Sequence, residues 1–355
     1  MSVSAERKRS LLRLARQRLP KLFDIPTRAL HETEVMEREG PLVVCYGAGV
    51  DSTALLVELA RRQIRPDLIL FADVGAEKPE TYRLIPIVSA YLMERGFPPV
   101  TIVRLEGQKW RDLEHQCLDT RQLPALAFGG HSCSLKWKVQ AQNKYMRQWE
   151  PALVSWSLGV RVIKTIGYDA SPRDRKRSCR TFLATAGRSD YRYYDFWYPL
   201  QEWAVTRNDC VEIIRSAGLP DALKSSCWYC PAMKRSEIVA LHRDHPDLFA
   251  RALAIEDSFR TGPHYHGDSL DGRAGKAITK GLGRNWSWRA FYESGFEMRT
   301  ERQKRIAAEI QLPLFSDQLP TMGVSEVGRV QENNRTCNCS FRGTATVEKP
   351  ASMPG

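Results

Sequence analysis

Short, continuous apolar runs separated by amphipathic stretches organise the first two hundred positions. Residues 41–46 (PLVVCY), 67–72 (DLILFA), 100–105 (VTIVRL) and 160–167 (VRVIKTIG) read as strands. Unbroken apolarity, rather than strict alternation, marks strands covered on both faces. Between them, Ser52 to about Gln63 and Pro79 to about Arg95 carry helical spacing. Strand and helix in turn predict an α/β fold, a doubly wound, mostly parallel, five-stranded sheet. A further helix is expected over 6–21, with Leu11, Ala15, Leu19 and Leu22 along one face. After Tyr198 the pattern changes. Glu202 to Ala217 reads as helix, 225–231 as a Cys-containing turn, 234–260 as helices, 261–287 as Gly- and His-containing loop, and 288–311 as helix. From Pro313 the chain is polar, Pro- and Gly-containing and aperiodic, so 313–355 reads as a disordered tail. The expected organisation is a basic N-terminal helix (1–37), an α/β domain (38–225), a helical C-terminal extension with a CxxC (226–312) and the tail.

Composition narrows the partners. Of 355 residues, 43% are hydrophobic and 26% charged, enough apolar content for a sizeable core. No apolar run reaches the roughly 18 residues a membrane span needs. Residues 6–21 are too charged for the apolar core of a secretory signal. An Arg-rich start also suits a transit peptide, but a basic amphipathic helix is the reading preferred here. The net charge of +12 favours polyanions: nucleotides, DNA or RNA. The nine cysteines form no compact framework. Without a secretory signal they are expected to be reduced thiols in a cytoplasmic protein, for metal or sulfur chemistry or for plain packing.

The segment Cys45–Thr53, CYGAGVDST, sits where a strand gives way to a helix. Tyr46, Gly47, Ala48, Gly49, Val50, Asp51, Ser52 and Thr53 then form a loop whose backbone N–H groups and helix N-terminus suit a phosphate. Gly47 and Gly49 permit close approach; Ser52 and Thr53 offer hydroxyls; Asp51 is placed for magnesium or a helix cap. An ordinary strand–turn–helix junction has the same outline. No GKS or GKT follows, which excludes a Walker A loop. The next strand ends in Asp73-Val-Gly-Ala-Glu-Lys-Pro-Glu80-Thr-Tyr82, at the edge where doubly wound folds bind ligands.

Together, CYGAGVDST and FADVGAEKPETY resemble the PP-loop ATP pyrophosphatases, specifically the PAPS reductase-like group. The group's SxGxDS loop reads Gly47-Ala48-Gly49-Val50-Asp51-Ser52 here, with glycine in place of the first serine. Later matches follow in the family's order over roughly residues 40–255: Cys133-Ser-Leu-Lys136, Gly167-Tyr-Asp169 with Arg173, Tyr198-Pro-Leu200 with Trp203, and Cys227-Trp-Tyr-Cys230-Pro231. The resemblance implies ATP with Mg2+, or PAPS or APS, bound across the loop. In the ATP-using members the α–β bond breaks and an acceptor is adenylated, in sulfur transfer or in nucleic-acid or nucleobase modification. It assigns Asp51, Arg173 and Lys136 to the reaction, with Asp73 and Glu80 shaping the nucleotide site.

Cys227 and Cys230, two residues apart in a turn, can reach one metal or cluster. The resemblance adds Cys133 and favours a [4Fe–4S] cluster over zinc; a fourth ligand falls to Cys179, Cys210 or His131. Buried thiols without metal are the plain alternative. A sulfonucleotide reductase, the rival reading, needs a C-terminal Glu-Cys-Gly-type motif, and the tail holds only Thr336-Cys337-Asn338-Cys339. A nucleotide- or DNA-binding module without catalysis is the third reading. Residues 171–180 (SPRDRKRSCR) offer five basic side chains for substrate phosphates or a solvated surface. Trp137, Trp286 and Trp288 stand among basic residues, a stacking pattern that core packing also produces. His264 and His266 lack a third metal ligand. Gln311-Leu-Pro-Leu-Phe315 resembles the short peptide with which bacterial and phage DNA enzymes dock on the sliding clamp.

Overall fold

The computed structural model describes residues 3–19, 29–128, 132–185, 192–222, 224–267, 269–270, 277–278, 280–284 and 286–296. They belong to one compact unit spanning 1–302. The tail, its two cysteines and the Gln311–Phe315 peptide lie outside the described residues, as does His131.

The sheet has five strands: β1 (Leu42–Tyr46), β2 (Leu68–Ala72), β3 (Val100–Val103), β4 (Val162–Ile166) and β5 (Tyr194–Trp197). All pairings are parallel, in the order β3-β2-β1-β4-β5. The fold is α/β with a parallel five-stranded sheet, as the pattern predicts. The fifth strand, YDFW, is too short to stand out from its aromatic surroundings in sequence. Within each strand, side chains alternate between two cores. Leu42, Val44, Tyr46, Ile69 and Phe71 face one side; Val43, Leu68, Leu70 and Ala72 face the other. Both faces are covered, which explains why the strands read as unbroken apolar runs.

On the first face lie α3 (Val50–Arg61) and α4 (Pro79–Met93). On the second lies α1 (Ala5–Arg18), which buries Ala15 and carries a Ser4 N-cap. Between α1 and α3 runs the short α2 (Glu32–Met36). Arg7 pairs with Glu150, and Arg18 donates to the Ser157 carbonyl. The basic N-terminal helix therefore packs as a structural element against α7 (Glu150–Ser157). Two more helical segments precede α7: α5 (Leu113–Thr120), and a run that we treat as α6, made of Ser132–Ser134, a π-helical stretch Leu135–Val139 and Gln140–Met146.

Two expectations change. The helix expected from Glu202 begins only at Arg207, as α9 (Arg207–Ser216), which follows α8 (Pro172–Thr185). Ala204 adopts a left-handed φ of 56° and separates α9 from the single turn Pro199–Glu202. The 234–260 segment holds helices, as expected: α10 (Arg235–Asp244) and α11 (Pro246–Arg260), separated where Pro246 cannot continue the ladder. Within the segment read as loop, Ser269–Leu270 pairs antiparallel with Ala277–Ile278. The last described helix is α12 (Trp288–Glu293).

Candidate functional site

In this strand order the chain leaves β1 toward β2 on one side and returns to β4 on the other. The carboxyl ends of β1 and β4 thus open a crevice, the place where such sheets bind ligands. The loop after β1 enters it. Ala48, not a glycine, takes the left-handed conformation there, with φ 52°. The Gly47 and Gly49 N–H groups converge on one oxygen, the Ser52 hydroxyl, each at 3.2 Å. Thr53 N–H closes the first helical bond on the Gly49 carbonyl. The loop is therefore a nest of inward-pointing donors at the N-terminus of α3, where helix geometry leaves the first N–H groups without intrahelical partners. A Cβ on Gly47 would meet nothing nearer than that hydroxyl, at 3.6 Å. The position has room for the serine that the family loop carries. Tyr46 and Thr53 turn inward instead: both are buried and their hydroxyls lie 3.2 Å apart.

The opposite wall comes from β4. Gly167 has no space for a side chain: a Cβ would lie 2.9 Å from the Ser52 Cα and 3.0 Å from its nitrogen. Only glycine lets β4 and the loop touch. Just beyond, Asp169 turns back to accept from Ser171 N–H at 2.8 Å, and Pro172 opens α8. That turn brings Asp169 and Asp174 beside Asp51. One carboxylate oxygen from each lies within 4.8 Å of the other two. Asp51 also pairs with Arg207 at 2.6 Å, while its other oxygen is buried without a hydrogen-bond partner. Burial pushes the Asp51 carboxyl upward; Arg207 opposes this, and Asp169 and Asp174 add to it. Oxygen donors crowded this way, one of them unsatisfied, fit a hard divalent cation such as Mg2+. Sequence reasoning missed Asp174 and Arg207. Asp174 was hidden in a basic run, and Arg207 has no local signal. Arg173 is exposed on the first turn of α8, and Arg177 stacks over Tyr168 at 4.4 Å while pairing with Asp174.

Asp73 and Glu80 stand elsewhere. Asp73 is buried at the end of β2 and accepts from Tyr82 hydroxyl (2.7 Å), Gly75 N–H (2.8 Å) and Arg104 Nε (2.8 Å). It holds the loop after β2 in shape. Glu80, on the first turn of α4, meets His245 at 2.6 Å and ties α4 to the α10–α11 junction.

The loop after β2 also receives the cysteines. Glu77 bridges antiparallel to Cys227, and Trp228 N–H donates to the Ala76 carbonyl at 3.0 Å. The turn is closed by Cys230 N–H on the Cys227 carbonyl. Lys138, from the π-helical stretch of α6, pairs with the buried Glu77 at 2.8 Å. Burial, then Glu77, hold the Cys227 thiol far above its ordinary value; the nearby Cys230 and Cys133 act in the same direction and Lys138 against it. Cys133, Cys227 and Cys230 are thus electrostatic neighbours in one partly buried cluster. Their sulfurs do not close into a mutual set within 4.8 Å, the tight grouping found only for the three aspartates among the described residues. Three thiols gathered at one partly buried place are the donor type that holds a metal ion or an iron–sulfur centre. Of the expected fourth ligands, Cys210 is placed away from the thiols: it is buried beside Asp51 and Asp169. Cys179 lies on α8, the helix of Asp174. The thiol that sequence reasoning overlooked is Cys117 on α5, buried and electrically coupled to Cys133.

Lys136 donates to Gln116 at 2.9 Å and lies 4.3 Å above the Trp110 ring. Trp137 is buried and shares the same Gln116 oxygen, which is the packing role expected for it. Trp288 is fully buried and offers a base no stacking face; the half-buried Trp286 lies against Gly283, with the Arg235 guanidinium 4.9 Å from its ring. No helix among the described residues is long and apolar enough to cross a membrane.

No family model matches the chain, and no curated protein matches it. Among solved structures, the U34-tRNA thiolase NcsA from Methanococcus maripaludis, solved with its [4Fe-4S] cluster, is similar at 14% identity. The alignment covers 79% of this chain and 88% of that one, with a TM-score of 0.34. A likeness of that size establishes neither activity nor site.

Proposed function

We propose that the chain is an ATP-dependent adenylating enzyme with a PP-loop, acting in sulfur transfer or in modification of a nucleic acid or nucleobase. The observation that carries this reading is the pairing of the loop with the carboxylates. Donors from Gly47, Gly49 and the start of α3 converge opposite Asp51, Asp169 and Asp174, with Gly167 pressing the two walls together. Backbone donors on one side and a cation-binding set on the other is what a polyphosphate requires.

Asp51, Asp169 and Asp174 would hold Mg2+, which supplies charge neutralisation to a departing pyrophosphate. Arg207 pairs with Asp51 and Arg177 with Asp174, and these two, with Arg173 on the first turn of α8, would orient the phosphates. The Gly47 and Gly49 N–H groups, which the Ser52 hydroxyl gathers at one point, would pass from that oxygen to a phosphate oxygen, joined by the first N–H groups of α3. Cys133, Cys227 and Cys230 would bind a [4Fe–4S] cluster, a centre able to carry sulfur or electrons. Lys138 would offset the negative charge of the thiolates.

The test is product analysis with [α-32P]ATP, Mg2+ and single-stranded RNA or DNA, on protein purified without oxygen. AMP and pyrophosphate, or an adenylated acceptor, are expected. Production of ADP and phosphate would contradict the reading, and thioredoxin-dependent release of sulfite from PAPS would replace it with the reductase.

A further inference from the structure

The carboxyl ends of β2 and β3 enclose a second feature, a cavity of about 250 Å3 lined by Asp73, Tyr82, Arg104, Arg111, Asp112 and Trp137 among others. We propose that this cavity is the acceptor subsite, receiving one nucleotide of a single-stranded nucleic acid. The proposal rests on the adenylating function above and names where its substrate sits.

Size and chemistry agree. The volume lies just below the roughly 300–1,000 Å3 of sites for drug-sized ligands. It suits a base with its sugar rather than a nucleoside triphosphate. The wall is mixed. The exposed edges of the nearly buried Trp137 and Leu105 supply the apolar part of the wall, and Asp112 and Tyr82 supply polar atoms for hydrogen bonds. The rim is cationic. Arg104 holds Asp73, and Arg111 holds Asp112 at 2.7 Å, yet both side chains are mostly exposed, at 65% and 79%. Each guanidinium carries five N–H groups, more than its carboxylate takes up. An isolated anion would find these arginines half neutralised and acidic groups behind them. A nucleotide places its neutral base inward and its phosphate on the rim.

Beyond the rim the basic surface continues. Lys109, paired with Asp119 at 2.9 Å, lies 5.2 Å from the Trp110 ring, Lys136 lies 4.3 Å from it, and Lys144 reaches the Glu106 carbonyl at 2.8 Å. Basic side chains beside a concave pocket suit the phosphates of a single strand, with one base leaving its stack to enter. The position also matters. Asp73, Val74 and Gly75 line the cavity, and two residues further on Glu77 bridges to Cys227. One loop therefore joins the acceptor subsite to the thiols.

The test measures anisotropy of short fluorescein-labelled single strands, RNA and DNA in separate arms, on the full chain over a series of salt concentrations. Arg111→Ala with Lys109→Ala should weaken binding about tenfold and lower the salt slope by about 1 to 2. Neither residue faces the β1 loop, so the thermal shift produced by ATP and Mg2+ should stay at its wild-type value. The arm that binds more tightly names the acceptor, and a duplex of the same sequence should compete poorly. Equal affinity of wild type and double variant, or no binding of either strand, would overturn the subsite. Loss of the ATP response in the wild-type protein would instead strike the function on which it rests.

Discussion

At the scale of residues, close contacts decide what the loop after β1 can hold. Gly167 is the tightest of these. A methyl group there would sit 2.9 Å from Ser52 Cα, which cannot retreat because it belongs to the first turn of α3. Gly167→Ala is expected to destabilise the protein by about 1–3 kcal/mol, the usual range for overpacking, and to abolish nucleotide binding. Urea denaturation and ATP-induced thermal shift read the two effects separately; unchanged ATP binding would contradict the assigned contact. A second residue-scale prediction concerns acid. Burial would raise the Glu80 carboxyl, but hydrogen bonds from its own backbone N–H and from His245 hold it below the ordinary value of 4.5. A lowered carboxylate stabilises the fold above that value, and the contribution is lost as pH falls through the lowered one. The melting-temperature gap between wild type and Glu80→Gln should therefore be open at pH 6 and close toward pH 3. Residues of this kind divide by legibility. The loop from Gly47 to Ser52 was readable because strand, glycine and helix start are contiguous. Asp174 and Arg207 were not, because their roles arise from a turn at Asp169 and a helix start placed by Ala204.

At the scale of elements, apolar runs located four of the five strands, because burial on both faces leaves a period-independent signal. The fifth, β5, and the β6–β7 pair (Ser269–Leu270 with Ala277–Ile278) are short and give pattern analysis too few positions. The aromatic and basic segment around Trp286–Arg289 packs Trp288 into the core rather than turning it to a ligand. Its organiser is Glu256 on α11, fully buried, which accepts from Leu282 N–H at 2.8 Å, Trp288 N–H at 3.0 Å, Arg289 N–H at 3.3 Å and the Ser287 hydroxyl. One carboxylate thereby anchors the approach to α12. Glu256→Gln keeps the shape but turns one acceptor into a donor facing N–H groups, at a cost on the order of 3 kcal/mol. Urea denaturation followed by tryptophan fluorescence checks this, since Trp286 and Trp288 sit at the anchored segment. A loss under 1 kcal/mol would mean that the segment is held by other contacts.

For the whole molecule, the carboxyl edge of the sheet gathers chemistry in strand order. The cavity lies beyond β3 and β2, the thiols dock on the loop after β2, the donor nest follows β1, and the three aspartates follow β1 and β4. Topology alone brings these parts together, since they come from segments spread over more than 150 positions. The two halves of the edge draw their functional side chains from different loops, so they should be separable by substitution. A ligand that binds only the folded state stabilises it by about 2.7 kcal/mol when present at a hundred times its Kd. ATP alone should raise the melting temperature of the wild-type protein, and Mg2+ should add to that rise. Asp169→Asn and Asp174→Asn each remove a cation ligand and part of the repulsion on Asp51. They should keep the fold, or make the unliganded protein more stable, and lose the Mg2+ increment. Cys227→Ser with Cys230→Ser should do the reverse, losing brown colour and bound iron after anaerobic purification while the response to ATP and Mg2+ persists. A Mg2+ increment that survives both aspartate changes would place the cation elsewhere, and a colourless, iron-free wild-type protein would remove the cluster without touching the nucleotide half.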